Sequence, residues 1–323
     1  MSLPPSEIPS GAMRFNSDSQ KLEYWNGSAW FQVHTFSPNL DGGARGVYNI
    51  GGANTLEYIN LESTGNFTDF GDLSDTSYEN AACSSSTRGV WRMGYTNPAY
   101  TNIMDFITIS STGNSQDFGD GTTSNNPTMG LSNSTRGLFA GGRQPAINTI
   151  EYITIPSTGN AVDYGDMTFT GSYASGAGSP VRGIYHGNRP QNTTIDFVTI
   201  ATLGNATQFG DRTPASEFPV VVSNSRRALI MGGTTPTALS QIDYVQISTL
   251  GDAISFGDLT VARRKGSDGT SSPTRGFMIG GGNPASNVID YVNIATQGNA
   301  VDFGDASAAQ ASGSAVSNAH GGL

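Results

Sequence analysis

The chain has 323 residues, of which only 13% are charged, with 42 Gly and a net charge of −10. Its 16 cationic side chains include just two Lys, Lys21 and Lys265, which excludes the clustered basic surface that binds nucleic acid or anionic membranes. No apolar run of roughly 18 residues and no basic-then-apolar leader occurs, so neither a membrane span nor a signal peptide is expected, and the single Cys83 excludes an internal disulfide.

Residues 1–36 stand apart from the rest. Residues 1–10 are Pro-rich and read as an extended arm. Three short runs follow, at 13–16, 21–25 and 29–33, and the Asn26-Gly27 pair between two of them is a strong hairpin signal. A three-stranded meander is expected. So small a sheet is marginal alone, and Trp25, Trp30 and Phe31, the adaptor interface, are expected to be exposed aromatics that pack on a partner, on a symmetry mate or on the propeller. The run RFNSDSQKLEYWNGSAW, residues 14–30, resembles a short module of tailed-bacteriophage structural and tail-fibre proteins. The resemblance implies a virion location, attachment to other virion proteins through this adaptor, and a homo-oligomeric assembly.

Residues 37–323 are periodic. A Phe-Gly-Asp or Tyr-Gly-Asp triplet ends at Asp72, Asp120, Asp166, Asp211, Asp258 and Asp305, and an Arg keeps the same beat at Arg45, Arg88, Arg136, Arg182, Arg227 and Arg275. Steps of 45 to 48 residues between the triplets point to a solenoid, propeller or array. Within 134–166 (STRGLFAGGRQPAINTIEYITIPSTGNAVDYGD), β-branched and aromatic runs alternate with Gly-Gly and Ser-Thr-Gly-Asn turns. With a further run before the Arg, each copy holds four strands, a to d. Strand c carries Tyr58, Phe106, Tyr152, Phe197, Tyr244 or Tyr291 on one side and Ile or Val on the other, so it is expected between two apolar layers.

The chain ends are complementary. The first copy lacks strand a, and the tail supplies one, with Ser317-Asn318 matching Ser132-Asn133 and Ser223-Asn224. The expected fold is all-β: a six-bladed β-propeller of four-stranded blades over residues 37–323, closed by a C-terminal strand, with a small N-terminal β-meander. The Gly-Gly after strand b and the strand-c aromatic resemble kelch repeats. Phe or Tyr (Phe118, Tyr164, Phe303) stands where kelch strand d has Trp.

Alternating strand directions place the a-to-b and c-to-d turns on one face and the b-to-c and d-to-a loops on the other. The first face is monotonous and the second varies, which marks it as the binding face. Tyr95, Tyr100, Arg143, Gln144, Arg189, Phe218, Arg263 and Arg264 are the candidate ligand contacts there, because aromatic and Arg side chains anchor interfaces.

Other motifs point to scaffold. Asp117-Phe118-Gly119 spells a kinase triplet, yet its relatives end a strand in every copy. The strand-c acids Glu57, Asp105, Glu151, Asp196, Asp243 and Asp290 repeat in the same way. His34, His186 and His320 lack metal-ligand spacing, and no nucleophile elbow occurs. No metal, cofactor or catalytic residue is expected. The phage resemblance implies a tail-fibre or spike component whose propeller binds a host-surface glycan or protein. The alternatives are a virion decoration or fibre-joining protein without a host ligand, and, from a different class, a glycan-cleaving enzyme.

Overall fold

Strands form where β-branched and aromatic residues run together, and turns where Gly, Asn, Ser and Pro gather. The computed structural model describes residues 8–16, 21–32, 44–264, 269–282, 284–310 and 312–323, and these contain strands and no helix. Residues 1–40 and 41–323 are separate compact units.

The first unit holds one antiparallel sheet of β1 (Met13–Asn16), β2 (Lys21–Trp25) and β3 (Trp30–Gln32). Its hairpin closes as expected: the Asn26 side chain accepts the backbone N–H groups of Ser28 and Ala29, both at 2.8 Å. The expected turn at 17–20 and residue Val33 lie outside the described residues.

The second unit holds six antiparallel four-stranded sheets. Sheet 1 contains β4 (Arg45–Asn49), β5 (Thr55–Asn60) and β6 (Thr68–Asp72). Sheet 2 is β7 (Ala81–Ser84), β8 (Arg88–Arg92), β9 (Ile103–Thr108) and β10 (Gln116–Asp120). Sheet 3 is β11 (Met129–Ser132), β12 (Arg136–Arg143), β13 (Ala146–Thr154) and β14 (Val162–Asp166). Sheet 4 is β15 (Ser175–Gly178), β16 (Arg182–His186), β17 (Asn192–Thr199) and β18 (Thr207–Ser216). Sheet 5 is β19 (Val220–Ser223), β20 (Arg227–Met231), β21 (Gln241–Gln246) and β22 (Ile254–Asp258). Sheet 6 is β23 (Gly269–Ser271), β24 (Arg275–Gly281), β25 (Ser286–Asn293) and β26 (Val301–Gln310). The fourth strand of sheet 1 is β27 (Ser314–Ser317), paired with β4 so that Ser317 faces Gly46 and Ser314 faces Asn49. Residues 212–216, expected as loop, continue β18.

Apolar side chains are shared between consecutive sheets. One cluster joins Val47, Leu56 and Phe70 of sheet 1 to Trp91 and Ile107 of sheet 2. Another joins Tyr48, Ile59 and Leu61 of sheet 1 to Phe277, Ile289 and Phe303 of sheet 6. On strand c the Ile and Val side is buried, while the aromatic side ranges from buried at Phe106 and Tyr244 to half-buried at Tyr58, Tyr152, Phe197 and Tyr291.

Three repeated polar contacts tie each sheet to the next. In the first, the Arg that opens strand b lies over the aromatic ring of its own strand c, at 4.5 Å for Arg45 over Tyr58 and 4.9 Å for Arg275 over Tyr291. Its guanidinium donates onward to the carbonyl just beyond the next sheet's strand c: Arg45 to Ile109 (2.9 Å), Arg136 to Ile200 (2.8 Å) and Arg275 to Leu61 (3.0 Å). In the second, the Asp of each Phe/Tyr-Gly-Asp triplet donates its backbone N–H to the turn Asn or Asp of the next sheet: Asp72 to Asn114 (3.1 Å), Asp211 to Asp252 (3.0 Å) and Asp305 to Asn66 (3.4 Å). The triplet Gly is required because that turn comes so close. A Cβ at Gly71 would stand 2.4 Å from the Gly113 carbonyl oxygen, and one at Gly257 2.2 Å from that of Gly298.

The third runs along the first strands. Ser84 Oγ donates to the Ser317 carbonyl (2.8 Å), Ser317 to Ser271 (2.7 Å), Ser271 to Ser223 (2.7 Å), Ser223 to Gly178 (2.7 Å) and Ser132 to Ser84 (2.7 Å). Gly178 lacks the hydroxyl that would extend this series to Ser132. These strands of all six sheets line a cavity of about 50 Å³, with His320 at its wall. The tail holds the chain start by the same cap that the other copies make locally. Asn133 and Asn224 accept the N–H of the Arg three residues on, each at 2.8 Å, whereas Asn318 accepts that of Arg45, 273 residues away, also at 2.8 Å.

Deleting residues 311–323 removes β27, Asn318 and His320 together. The expected outcome is loss of the cooperative thermal transition followed by circular dichroism, with the shortened chain eluting as aggregate.

Candidate functional site

The end of the sheets bearing the a-to-b and c-to-d turns is occupied by the contacts just described, so its recurrent Arg and turn Asn residues are structural. The strand-c acids serve the opposite end. Asp105 accepts the Ser74 N–H (2.7 Å), Glu151 that of Thr122 (2.7 Å), Asp196 that of Thr168 (2.9 Å) and Asp290 that of Thr260 (3.0 Å). Each thereby anchors the loop leaving the preceding sheet. Burial raises the Asp196 pKa, and the Thr168 N–H and hydroxyl oppose the rise.

Three of these acids also meet a buried Arg from the preceding sheet or the loop that leaves it. Arg92 pairs with Glu151 (3.0 Å), Arg212 with Asp243 (2.7 Å) and Arg263 with Asp290 (3.1 Å), with all three guanidinium groups essentially inaccessible. Burial lowers each Arg pKa and the partner carboxylate counteracts it. Arg263 therefore departs from its expected place among the surface contacts. It lies inside, where the negative charge of Asp290 holds it. Arg92 and Arg212 carry no sequence signal that separates them from surface Arg.

The remaining candidates converge on the variable end. Arg143 donates to Glu79 Oε1 (2.9 Å) and lies 5.1 Å from the centre of the Tyr173 ring. Arg189 lies 5.9 Å from that ring and 3.6 Å from Glu217. Tyr173 packs on Phe218 with centroids 4.1 Å apart, and Arg264 lies 4.6 Å over Phe218. Burial raises the Tyr173 pKa, helped by Glu79 and opposed by Arg143 and Arg189. Beside this row, Tyr95 packs against Tyr100 with ring centroids 5.2 Å apart, and the Tyr100 hydroxyl donates to Gln144 (3.0 Å). Arg143 and Arg189 are 42% and 60% exposed, so the row presents guanidinium edges to solvent and keeps its ring faces covered. Tyr78, Glu79 and Tyr173 complete the row and were not expected from the sequence.

The backbone here is constrained. Among the described residues, the non-Gly residues with positive φ are Glu79 (56°), Asn97 (35°), Tyr173 (62°) and Phe218 (58°), and all four lie in loops at this end. Side chains in that conformation persist only where their surroundings impose it, which is common at ligand sites.

In the first unit, the three expected interface aromatics separate. The pairings Met13–Tyr24, Tyr24–Phe31 and Phe15–Leu22 put these five side chains on one face, and they are 60%, 41%, 46%, 66% and 38% exposed in the order Met13, Tyr24, Phe31, Phe15, Leu22. Trp25 and Trp30 share the other face, with ring centroids 5.5 Å apart and Arg14 lying 4.2 Å over Trp30. Trp25 is buried, which corrects its expected exposure. Glu23 on this face takes Arg14 (2.9 Å) and Asn16 (3.0 Å).

The His residues are spread apart. His34 lies outside the described residues. His186 is buried, Nδ1 2.9 Å from the Thr194 carbonyl and Nε2 3.2 Å from Ser216 Oγ. His320 Nε2 is 2.9 Å from the Ser84 carbonyl. Cys83 is buried, and burial pushes its thiol pKa up.

Two measurements check these buried groups. Replacing Arg212 by Met leaves Asp243 buried without its partner, which costs about 3–5 kcal/mol in urea unfolding, and adding Asp243→Asn recovers part of the loss. Burial, then Arg212, lower the His186 pKa from 6.5 to about 3, against the opposing Thr194 bond. The unfolded chain therefore takes up a proton below pH 6.5 that the folded chain refuses until about pH 3. Stability falls across that window by up to about 1.4 kcal/mol per pH unit. His320 acts in the same direction, and His186→Met flattens the slope without abolishing it.

Comparison with known proteins adds no relative: no protein-family model matches the chain, and no curated protein matches it.

Proposed function

We propose that this chain is a recognition protein of a tailed-phage particle. In this reading the six sheets form a closed, six-bladed, kelch-like propeller, residues 1–36 join it to other virion proteins as part of a tail fibre or spike, and the variable end binds the host surface without cleaving what it binds. Closure is supported by the contacts that join sheet 6 to sheet 1, namely the shared apolar cluster, the Arg275–Leu61 bond and the pairing of β27 with β4. Attachment is supported by the apolar face of Met13, Phe15, Leu22, Tyr24 and Phe31, a composition that soluble sheets do not leave uncovered.

The observation that carries the functional reading is the row Arg143–Tyr173–Arg189 with Phe218–Arg264. Five side chains from one strand end and four loops are held by ring contacts, two of them on strained backbone. A row so fixed loses little side-chain entropy when a ligand meets it, and Arg and Tyr are the residues that most often carry interface energy.

The test is binding of the labelled full chain to intact cells of a bacterial panel, read by flow cytometry. Saturable binding to some strains is expected, weakened at least about tenfold in the triple variant Arg143→Ala, Arg189→Ala, Arg264→Ala. Binding to no strain overturns host recognition and favours the decoration or fibre-joining role.

A further inference from the structure

Beside the Arg row lies a hollow of about 340 Å³ walled by Tyr78, Glu79, Tyr95, Asn97, Arg143 and Ser312. Its floor plan is rigid. Tyr78 and Tyr95 exchange backbone hydrogen bonds, Tyr78 N–H to Tyr95 O at 2.9 Å and the reverse at 3.1 Å. The Tyr78 ring rests over Gly52, where an added Cβ would stand 2.5 Å from it at φ 82°, so any side chain at position 52 would displace the ring. Even so, Tyr78 is 43% exposed. An aromatic plate held from behind and open in front is a surface for an apolar ring face.

The polar walls are fixed and electrically balanced. Glu79 takes Arg143 on Oε1 and the Asn126 amide on Oε2, while Asn126 Oδ1 accepts the Arg143 backbone N–H at 3.1 Å. The Tyr95 hydroxyl donates to Asn97 Oδ1 at 3.2 Å, which orients that amide. Glu79 and Asn97 supply two of the four strained backbone positions. The hollow thus offers one open ring, the Tyr78 and Ser312 hydroxyls that donate and accept, a Tyr95 hydroxyl that accepts, an amide, and one carboxylate cancelled by one guanidinium.

Few ligand classes match that set. A phosphate or other anion would meet Glu79 inside a chain of net charge −10. A purely apolar ligand would desolvate the walls without replacing their bonds. A sugar ring has a C–H face for Tyr78 and hydroxyls that serve as donor and acceptor at once. We infer that this hollow binds one uncharged sugar ring of a surface glycan, its C–H face on Tyr78 and its hydroxyls on the Glu79–Arg143 pair, Asn97 and Ser312. The inference rests on the recognition reading above and names its ligand class.

The test is saturation-transfer NMR on the full chain. The uncharged probes are the methyl glycosides of glucose, galactose and mannose together with N-acetylglucosamine, and the anionic probes are glucose 6-phosphate and N-acetylneuraminic acid. At least one uncharged sugar is expected to bind, with affinity reduced about tenfold or more in Tyr78→Ala. Tyr78→Phe, which keeps the plate, retains most of it. Leu203→Ser, at a 59% exposed position in a turn at the other end, leaves it unchanged. Binding of no uncharged sugar, binding of the anionic probes alone, or equal binding by Tyr78→Ala overturns the inference. Cell binding lost in the triple Arg variant but intact in Tyr78→Ala and under sugar competition also overturns it, while leaving the recognition face standing. Tyr78-dependent sugar binding by a chain that binds no cell supports it while removing the host-surface reading.

Discussion

The structure depends on a single Arg in each repeat that faces two ways. Its guanidinium lies on the aromatic ring of its own third strand and donates to a main-chain carbonyl of the following sheet. Stacking lets a cation sit against apolar surface without a carboxylate partner, because the ring supplies the counter-field and the carbonyl the hydrogen-bond acceptor. This explains why a chain with so few charges keeps an Arg in every repeat, and why Phe and Tyr interchange beneath it: the ring face is used, not the hydroxyl. Lys, a point charge without a planar face, would not reproduce both contacts.

Much of the architecture was legible because these contacts repeat. The Arg, the Gly-Asp pair and the turn Asn each recur at one spacing, so their structural character shows even before their partners are known. The tail was legible for the same reason, Ser317-Asn318 being a copy of a turn whose Arg lies at the other end of the chain. What repetition could not reveal is what happens once only. Arg263 and Arg264 are adjacent in a polar loop, and nothing local separates the one that turns inward to Asp290 from the one that covers Phe218. The burial of Arg263 is decided by an acid on a strand of the next repeat.

The candidate site was half legible for a related reason. Variable loops mark one end of the sheets, and Arg and Tyr are natural choices within them. Glu79 and Tyr173 join the row because left-handed backbone points their side chains there, and φ is not written in residue type when the residue is neither Gly nor Asn. In the first unit the reverse held. Period-two alternation places Met13, Phe15, Leu22, Tyr24 and Phe31 on one face, so of the three aromatics expected at the interface Phe31 lies there and Trp25 and Trp30 lie opposite.

The joint between the first and last sheets differs from the other five in one respect, the distance along the chain that it spans. Neighbouring sheets are tied by residues some 40 to 70 positions apart, as with Asp72–Asn114 (42) and Arg45–Ile109 (64), whereas Arg275–Leu61 and Asp305–Asn66 span 214 and 239. Four joints can form as each repeat is completed, whereas those of sheet 1 with sheets 2 and 6 are completed only by β27. Until then sheet 1 lacks a strand, and its apolar side lies open opposite the matching side of sheet 6. Any second chain at the same stage offers an identical, equally complementary pair of surfaces. An open edge on β4 is the condition under which a strand can be exchanged between copies, and β27 removes it.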